Sequence, residues 1–323
     1  MSQLRLNPLT GRWVTIAVER AARPGELISP EPAPVDGGPR SCPFCPGNEE
    51  ATPPALETYG PGGQWVVRVV PNLYPAFEGD EPMRETRLGP VFTQATASGV
   101  HEVLVFSPDH RGSWADLGDK EAGLTMAAIR DRMEAHASSG TIQYTQAIVN
   151  AGRAAGASLE HPHGQLLGIP FVPDHIAEEQ AGFARFEGGC LLCTVRDEES
   201  ASGHRTVIET DRVLVVCPFW SGAPFEMLVL PKAHAEHLEG AAPAEVVAVG
   251  RAIRDALVKL RARLGEVAYN IVFHTAPHQH GGPYHWHAHV VPRLTSLAGF
   301  EQGTGVMINI VAPETAARDL TTA

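Results

Sequence analysis

The sequence predicts an α+β protein in which one unit is used twice, each copy an antiparallel sheet with a helix packed on it. Two observations point there. Features of the first half recur 124 residues later: Glu102 with Glu226, His110 with His234, Ala-Ile-Arg-Asp at 128–131 with the same tetrapeptide at 252–255, His161 with His285, His163 with His287, and Gln165 with His289. The order C-x-x-C, strand and turn with a histidine, helix, strand, H-x-H is also met twice. The spacing predicts a register without gaps from 102 to 165. The division falls after residue 183, giving an N-terminal domain over 1–183 and a C-terminal domain over 184–323.

Taken in order, a strand is expected over 12–17, followed by Arg20 and Arg23 before Pro24. Residues 25–41, rich in Pro and Gly, read as a surface loop. CPFCPGNE at 42–49 places a tight turn between two thiols, which suits a zinc knuckle. A strand over 64–70 ends in PNLYPAF, 78–99 reads as a loop or excursion, and 101–110 as a strand running into a turn. Leu124, Ala127, Ala128, Ile129 and Met133 give 119–137 a helical spacing. A strand over 143–149 then delivers NAGRAAGASLEHPHGQ at 150–165. In the second half, 170–189 bridges to CLLC at 190–193, and strands follow near 205–209 and 213–216. FEMLVLPKAH at 225–234 is strand plus turn again, 243–264 a helix, and 267–273 a strand leading into the second histidine run. In the tail, GFEQGTGVMINIV reads as a loop and a closing strand.

Composition bounds the function. The 323 residues are 43% hydrophobic, enough for a sizeable core. Only 19% are charged and the net charge is −12, which argues against a general nucleic-acid binder but leaves room for a nucleotide held by a few local donors. The opening MSQLRLNPLTGRWV lacks the apolar core of a signal peptide, and no run approaches the ~18 apolar residues of a membrane span. The expectation is a soluble, cytoplasmic protein with no membrane partner. In that reducing setting the pairs Cys42/Cys45 and Cys190/Cys193 read as metal ligands rather than disulfides. Cys217, inside VLVVCPF, reads as a buried free thiol.

The repeat sorts the histidines. Each half supplies two cysteines, one histidine at a turn and one at the start of H-x-H, a Cys2His2 set with no open position, as in structural zinc sites. The first set is Cys42, Cys45, His110 and His161; the second is Cys190, Cys193, His234 and His285. Both need thiolates and neutral imidazoles, so both should loosen in acid. The plain alternative is a pair of unligated thiols in each half. The second half also has spare histidines, His274, His278, His280, His287 and His289.

Assigning His161 to metal leaves His163 free beside the small-residue loop of Gly152, Ala154, Ala155, Gly156, Ala157 and Ser158. That loop lets a ligand come close to the backbone. A neutral imidazole is a competent nucleophile toward phosphorus, provided its other nitrogen has a fixed partner such as a nearby backbone carbonyl. Gln165 and Ser158 can donate to phosphate oxygens as charge develops. The plain alternative is a loop with two solvated histidines. No P-loop is present.

These residues resemble the histidine-triad superfamily and, within it, the galactose-1-phosphate uridylyltransferase family. The motifs are RLNPLTGRWV, CPFC, SPDH, GASLEHPHGQ, FEMLVLPKAH, HWHAHVVP and GFEQGTG, so the likeness spans nearly the whole chain. It implies a duplicated histidine-triad-like fold and a homodimer. It implies a ping-pong exchange between a nucleotide sugar and a sugar 1-phosphate: His163 attacks UDP-glucose, forms a uridylyl-histidine, and passes the group to galactose 1-phosphate. By the same match Asn72 and Asn150 bind the nucleotide, Ser158 and Gln165 the phosphates, and Arg20 and Arg23 stand at phosphate-contacting positions, with a solvated pair as their plain alternative. Some members carry iron at positions matching Glu179, His274, His287 and His289. CLLC and His285 instead align the chain with the branch having two zinc sites, which includes an ADP-glucose phosphorylase. His287 is the rival nucleophile. The reading from another class is a non-catalytic, zinc-stapled nucleotide-binding protein.

Overall fold

The computed structural model describes residues 2–22, 38–62, 64–279 and 281–322. Near the N-terminus β1 (Gln3–Leu6) pairs with β2 (Trp13–Ile16). The first unit comprises β3 (Glu57–Tyr59), β4 (Val67–Pro71), the exposed hairpin of β5 (Glu85–Leu88) and β6 (Phe92–Ala95), then β7 (Val100–Val105), α1 (Asp119–Ala137), β8 (Tyr144–Ala151) and β9 (His163–Ile169). Helices α2 (Asp174–Arg185) and α3 (Leu191–Ser202) lead into the second unit: β10 (Thr206–Glu209), β11 (Val213–Val216), β12 (Met227–Pro231), α4 (Pro243–Leu264), β13 (Tyr269–His274) and β14 (His287–Pro292). The tail adds α5 (Gly299–Thr304), β15 (Met307–Asn309) and α6 (Pro313–Thr321), with β15 parallel to β2. No helix among the described residues is long and apolar enough to cross a membrane.

Ten strands form one antiparallel sheet in the order β10-β11-β12-β14-β13-β8-β9-β7-β4-β3. The two units meet at β8 and β13, where Ile148 faces Val272, its own counterpart 124 residues on. The helices obey the same relation. Gly123 of α1 abuts Val247 of α4, and Met126 abuts Gly250. A pseudo-twofold axis therefore runs through the central strand pair and the helix contact. Gly250 is required there: a Cβ would come within 2.5 Å of the Ala122 carbonyl oxygen. Both helices lie on one face of the sheet. On α1 the spacing Ala122, Met126, Ile129, Met133 buries one side, and on α4 Val246, Val249, Ile253, Ala256 and Leu260 do the same. Pro243 opens α4 at the first turn, where its missing N–H costs nothing.

Strand alternation sends the other side chains to the opposite face. Asn72, His101, Val103, Gln165, His163, Asn150 and Asn270 share that face by register. The fold class expected from sequence is thus the observed one.

Several local expectations need correction. The repeat is not free of gaps. Gln165 faces Val103 whereas His289 faces Leu228, so β7 and β12 are related by 125 residues, and the turn to His234 is one residue shorter than that to His110. A slip of one residue changes faces. Glu102 accordingly points to the helices, where Arg132 forks onto it at 2.6 and 3.0 Å, while Glu226 bonds His289 at 3.2 Å. Residues 78–99 include the β5–β6 hairpin, whose fully exposed strands carry no apolar stripe to betray them. The bridge 170–189 contains α2, which buries Ile176, Glu179 and Phe183 behind Pro173. Cys190 caps α3, a helix hidden by its polar DEES run. The tail is helical on both sides of its closing strand.

Candidate active site and metal centres

The CPFC turn lies under the start of β9. Cys42 Sγ is 3.7 Å from His161 Nδ1, and Cys45 Sγ is 3.5 Å from the same atom and 3.3 Å from His110 Nδ1. Tetrahedral zinc, with the usual bond lengths, puts sulfur and nitrogen about 3.5 Å apart. The second set repeats this: Cys190 and Cys193 stand 3.6 and 3.5 Å from His285 Nδ1, and Cys193 stands 3.8 Å from His234 Nδ1. In each set the ligand atoms lie within 4.8 Å of one another. The far nitrogen of each inner histidine meets a carbonyl, Ser107 for His161 at 2.8 Å and Pro231 for His285 at 3.1 Å. That fixes the tautomer and leaves Nδ1 as ligand. Burial pushes His161 and His285 down to about 4, so both rings are neutral at pH 7. Both sets therefore fit a metal ion.

His163 opens β9 with its Nδ1 2.8 Å from the His161 carbonyl oxygen. Only a protonated Nδ1 can donate there, so Nε2 keeps its lone pair. Burial holds the ring below the ordinary imidazole range, although the carbonyl opposes the shift. Phe44, from between the two cysteines, sets its ring centroid 5.3 Å from that of His163. The same turn thus gathers the metal ligands and backs the free imidazole.

The small-residue loop follows β8. Gly152 and Gly156 have φ of +82° and +91°, and a Cβ on Gly152 would meet Ala268 at 2.9 Å. Asn270 reaches across from the second unit and donates to Asn150 Oδ1 at 2.7 Å and to the Ala155 carbonyl at 2.9 Å. Ser158 is exposed on this loop. Asn72 follows β4, its side-chain nitrogen 3.1 Å from His101 Nε2; Gln165 Oε1 is 2.8 Å from the same atom. Arg20 is half-buried in a 3-10 turn, Val18–Ala22, after β2. Arg23 and His280 lie outside the described residues. Sequence reasoning passed over Phe44, His101 and Asn270. Phe44 is only a spacer letter, the third, of a metal motif, and His101 and Asn270 become visible once the strand faces are known.

The second unit surrounds its H-x-H differently. His287 donates Nδ1–H to the His285 carbonyl at 2.8 Å, as His163 does to His161. Its Nε2 is buried without a hydrogen-bond partner and faces Glu179 at 3.9 Å. Glu179 also meets His274 at 3.0 Å and Tyr284 at 2.5 Å. Burial opposes its charge, but His274, His287 and Tyr284 together hold it well below the usual carboxylate range. Burial pushes His287 down to about 3. Glu179, His274, His287 and His289 form a third cluster able to hold a cation, with the orphaned Nε2 aimed into it.

Known proteins share this architecture. Residues 1–173 match the model of the galactose-1-phosphate uridyl transferase N-terminal domain, and 175–301 that of its C-terminal domain. An ADP-glucose phosphorylase from Arabidopsis thaliana is 33% identical over 98% of this chain and 91% of its own. A galactose-1-phosphate uridylyltransferase from Thermotoga maritima is 28% identical over 99% and 98%. The crystal structure of an Arabidopsis thaliana ADP-glucose phosphorylase with bound ADP-glucose superposes with a TM-score of 0.85 at 30% identity, covering 100% of this chain and 99% of that one.

Proposed function

Because the chain belongs to the galactose-1-phosphate uridyl transferase family, a family of nucleotidyltransferases, we propose that His163 carries the nucleotidyl group of a nucleotide sugar as a covalent adduct. The observation that carries this reading is the Nδ1–carbonyl bond of His163, which leaves Nε2 as the free nucleophile on the face shared with Gln165 and Asn150. In the first step Nε2 attacks the α-phosphorus, a P–N bond forms, and the bond to the bridging oxygen breaks. Hexose 1-phosphate leaves with that electron pair. In the second step an acceptor phosphate oxygen attacks the same phosphorus and expels Nε2. The His161 carbonyl accepts the Nδ1–H bond throughout and so steadies the positive charge of the substituted ring. Gln165 and Ser158 donate to the phosphate oxygens, Asn72 and Asn150 hold the nucleotide, and Arg20 and Arg23 neutralise the diphosphate.

Two exchanges fit this chemistry. ADP-glucose with inorganic phosphate as acceptor is supported by the 33% identity and the 0.85 TM-score, and by the assembled second Cys2His2 set. UDP-glucose with galactose 1-phosphate is supported by the family description and by the Thermotoga relative. We place ADP-glucose phosphorolysis first. A matrix of UDP- and ADP-sugars against phosphate and sugar 1-phosphates tests the order: faster turnover of UDP-glucose with galactose 1-phosphate reverses it.

Zinc in the two Cys2His2 sets belongs to the same reading. Its contribution is structural, cross-linking the C-x-x-C segments to the histidine strands. Elemental analysis should find two zinc ions per chain, and a third ion if the Glu179 cluster takes iron or zinc. A homodimer completes the proposal, supported by exposed Tyr74, Val91 and Phe92; sedimentation that finds only monomer removes it.

A further inference from the structure

His101 stands between three groups and its tautomer is determined by them. Its Nδ1 lies 3.1 Å from the backbone N–H of Ala76, which can only donate. That Nδ1 must therefore hold a lone pair, and in the neutral ring the proton sits on Nε2. Nε2–H in turn donates to Gln165 Oε1 at 2.8 Å. This settles which end of the Gln165 amide faces the strand: the oxygen is tied down, and the NH2 group is left for an outside acceptor. Among the described residues no protein acceptor is found for that NH2 group. Asn72 beside it is oriented by the backbone instead. Its Oδ1 accepts the Tyr74 N–H at 2.9 Å, and its Nδ2 sits 3.1 Å from a His101 nitrogen that has no lone pair to offer. Its amide hydrogens are likewise left for a ligand.

We propose that His101 is a positioning residue that presents the Gln165 amide N–H groups to the phosphate of the nucleotide sugar. This rests on the reading of His163 as the nucleophile. Register explains the reach: His101 lies two residues before Val103, which faces Gln165, so the two side chains meet diagonally on one face. Without Nε2–H, nothing on β7 distinguishes the two orientations of the Gln165 amide, and the wrong one points an oxygen at an anionic phosphate.

The experiment is a double-mutant cycle on the rate of His163 labelling by ADP-glucose and UDP-glucose carrying a labelled α-phosphate. His101→Phe should slow labelling about 10- to 100-fold, at or below the ~100- to 1,000-fold cost of losing one donor to developing charge outright. His101→Gln, whose amide can donate from the Nε2 position, should recover most of it. His101→Phe should cost nothing further in a Gln165→Ala background. Additive losses, or a His101→Phe rate equal to wild type, overturn the inference. Absence of any adduct in the wild type, with either donor, sinks the proposed function and this inference with it. A second readout does not depend on variants that fold: the imidazole nitrogen spectrum of the wild-type protein should report His101 as the Nε2–H tautomer, and Nδ1–H contradicts the proposal.

Discussion

The two halves mount a pair of histidines in the same way and surround them differently. In each, the first histidine gives Nδ1 to a cysteine pair and its far nitrogen to a backbone carbonyl, while the second donates Nδ1–H to the carbonyl of the first at 2.8 Å. His163 then meets Phe44 and shares its strand face with Gln165 and Asn150. His287 meets Glu179, His274, His289 and Tyr284. Accessibility follows: 7% of His163 is exposed and none of His287. Duplication has supplied one imidazole mount, and the neighbours decide its use. Neutral amides and a partly accessible ring suit attack on phosphorus; a carboxylate and crowded imidazoles suit a cation.

The largest effects should come from the metal sets. Cys42→Ser and Cys190→Ser should each lower stability by more than about 4 kcal/mol, the scale expected when a structural metal is lost. The halves should then part. Where folded protein can still be obtained in the cold, Cys190→Ser should form the His163 adduct and Cys42→Ser should not, because the carbonyl holding His163 belongs to His161. Equal loss of labelling in both contradicts the division of labour. Chelators should strip the second set first, since Cys190, Cys193 and His234 are less buried than their counterparts.

Exchanging a neighbour sharpens the comparison further. Gln165→His copies the second half into the first. It should slow adduct formation about 100-fold, close to 2.7 kcal/mol, by removing a phosphate donor. His289→Gln should leave that rate unchanged. Rapid-quench measurements decide both.

Acid should act on the first half through His163. Burial lowers its pKa, so the proposed nucleophile stays neutral down through the ordinary imidazole value and is lost only as pH falls through the depressed one. The rate of adduct formation should therefore stay level from pH 8 to about 6.5 and decline only below that. For stability the sign is the same: unfolded histidines bind protons that buried His161, His163, His285 and His287 refuse, so stability is held above about pH 6.5 and falls in acid. An acidic limb centred above 6.5 would remove burial as its cause. The smallest effect is at the seam. Asn270→Ala removes the cross-brace on Asn150 and Ala155, and should raise the KM for nucleotide sugar up to about tenfold with little change in kcat, the value of one or two hydrogen bonds.

Most of the fold was legible because two periodicities were strong. The helical spacing of 119–137 and 243–264 gives α1 and α4 with their observed ends. The paired C-x-x-C and H-x-H motifs gather as expected because metal ligands must converge. What escaped had no pattern of its own. The exposed β5–β6 hairpin buries nothing, and α2 is preceded by Pro170 and Pro173 and followed by Gly188 and Gly189, which read as loop. The one-residue slip of β12 cannot be seen in an alignment of matching letters, since Glu226 looks like the partner of Glu102 until the pleat assigns them opposite faces. His101 and Asn270 were missed because their value lies in which strand stands beside them.

The most direct test of the central claim is covalent. Brief incubation with ADP-glucose and, separately, UDP-glucose labelled in the α-phosphate should leave acid-labile label on the wild-type protein and on His287→Ala, and none on His163→Ala. Label that survives in His163→Ala and vanishes in His287→Ala would show that the second half, not the first, carries the nucleophile.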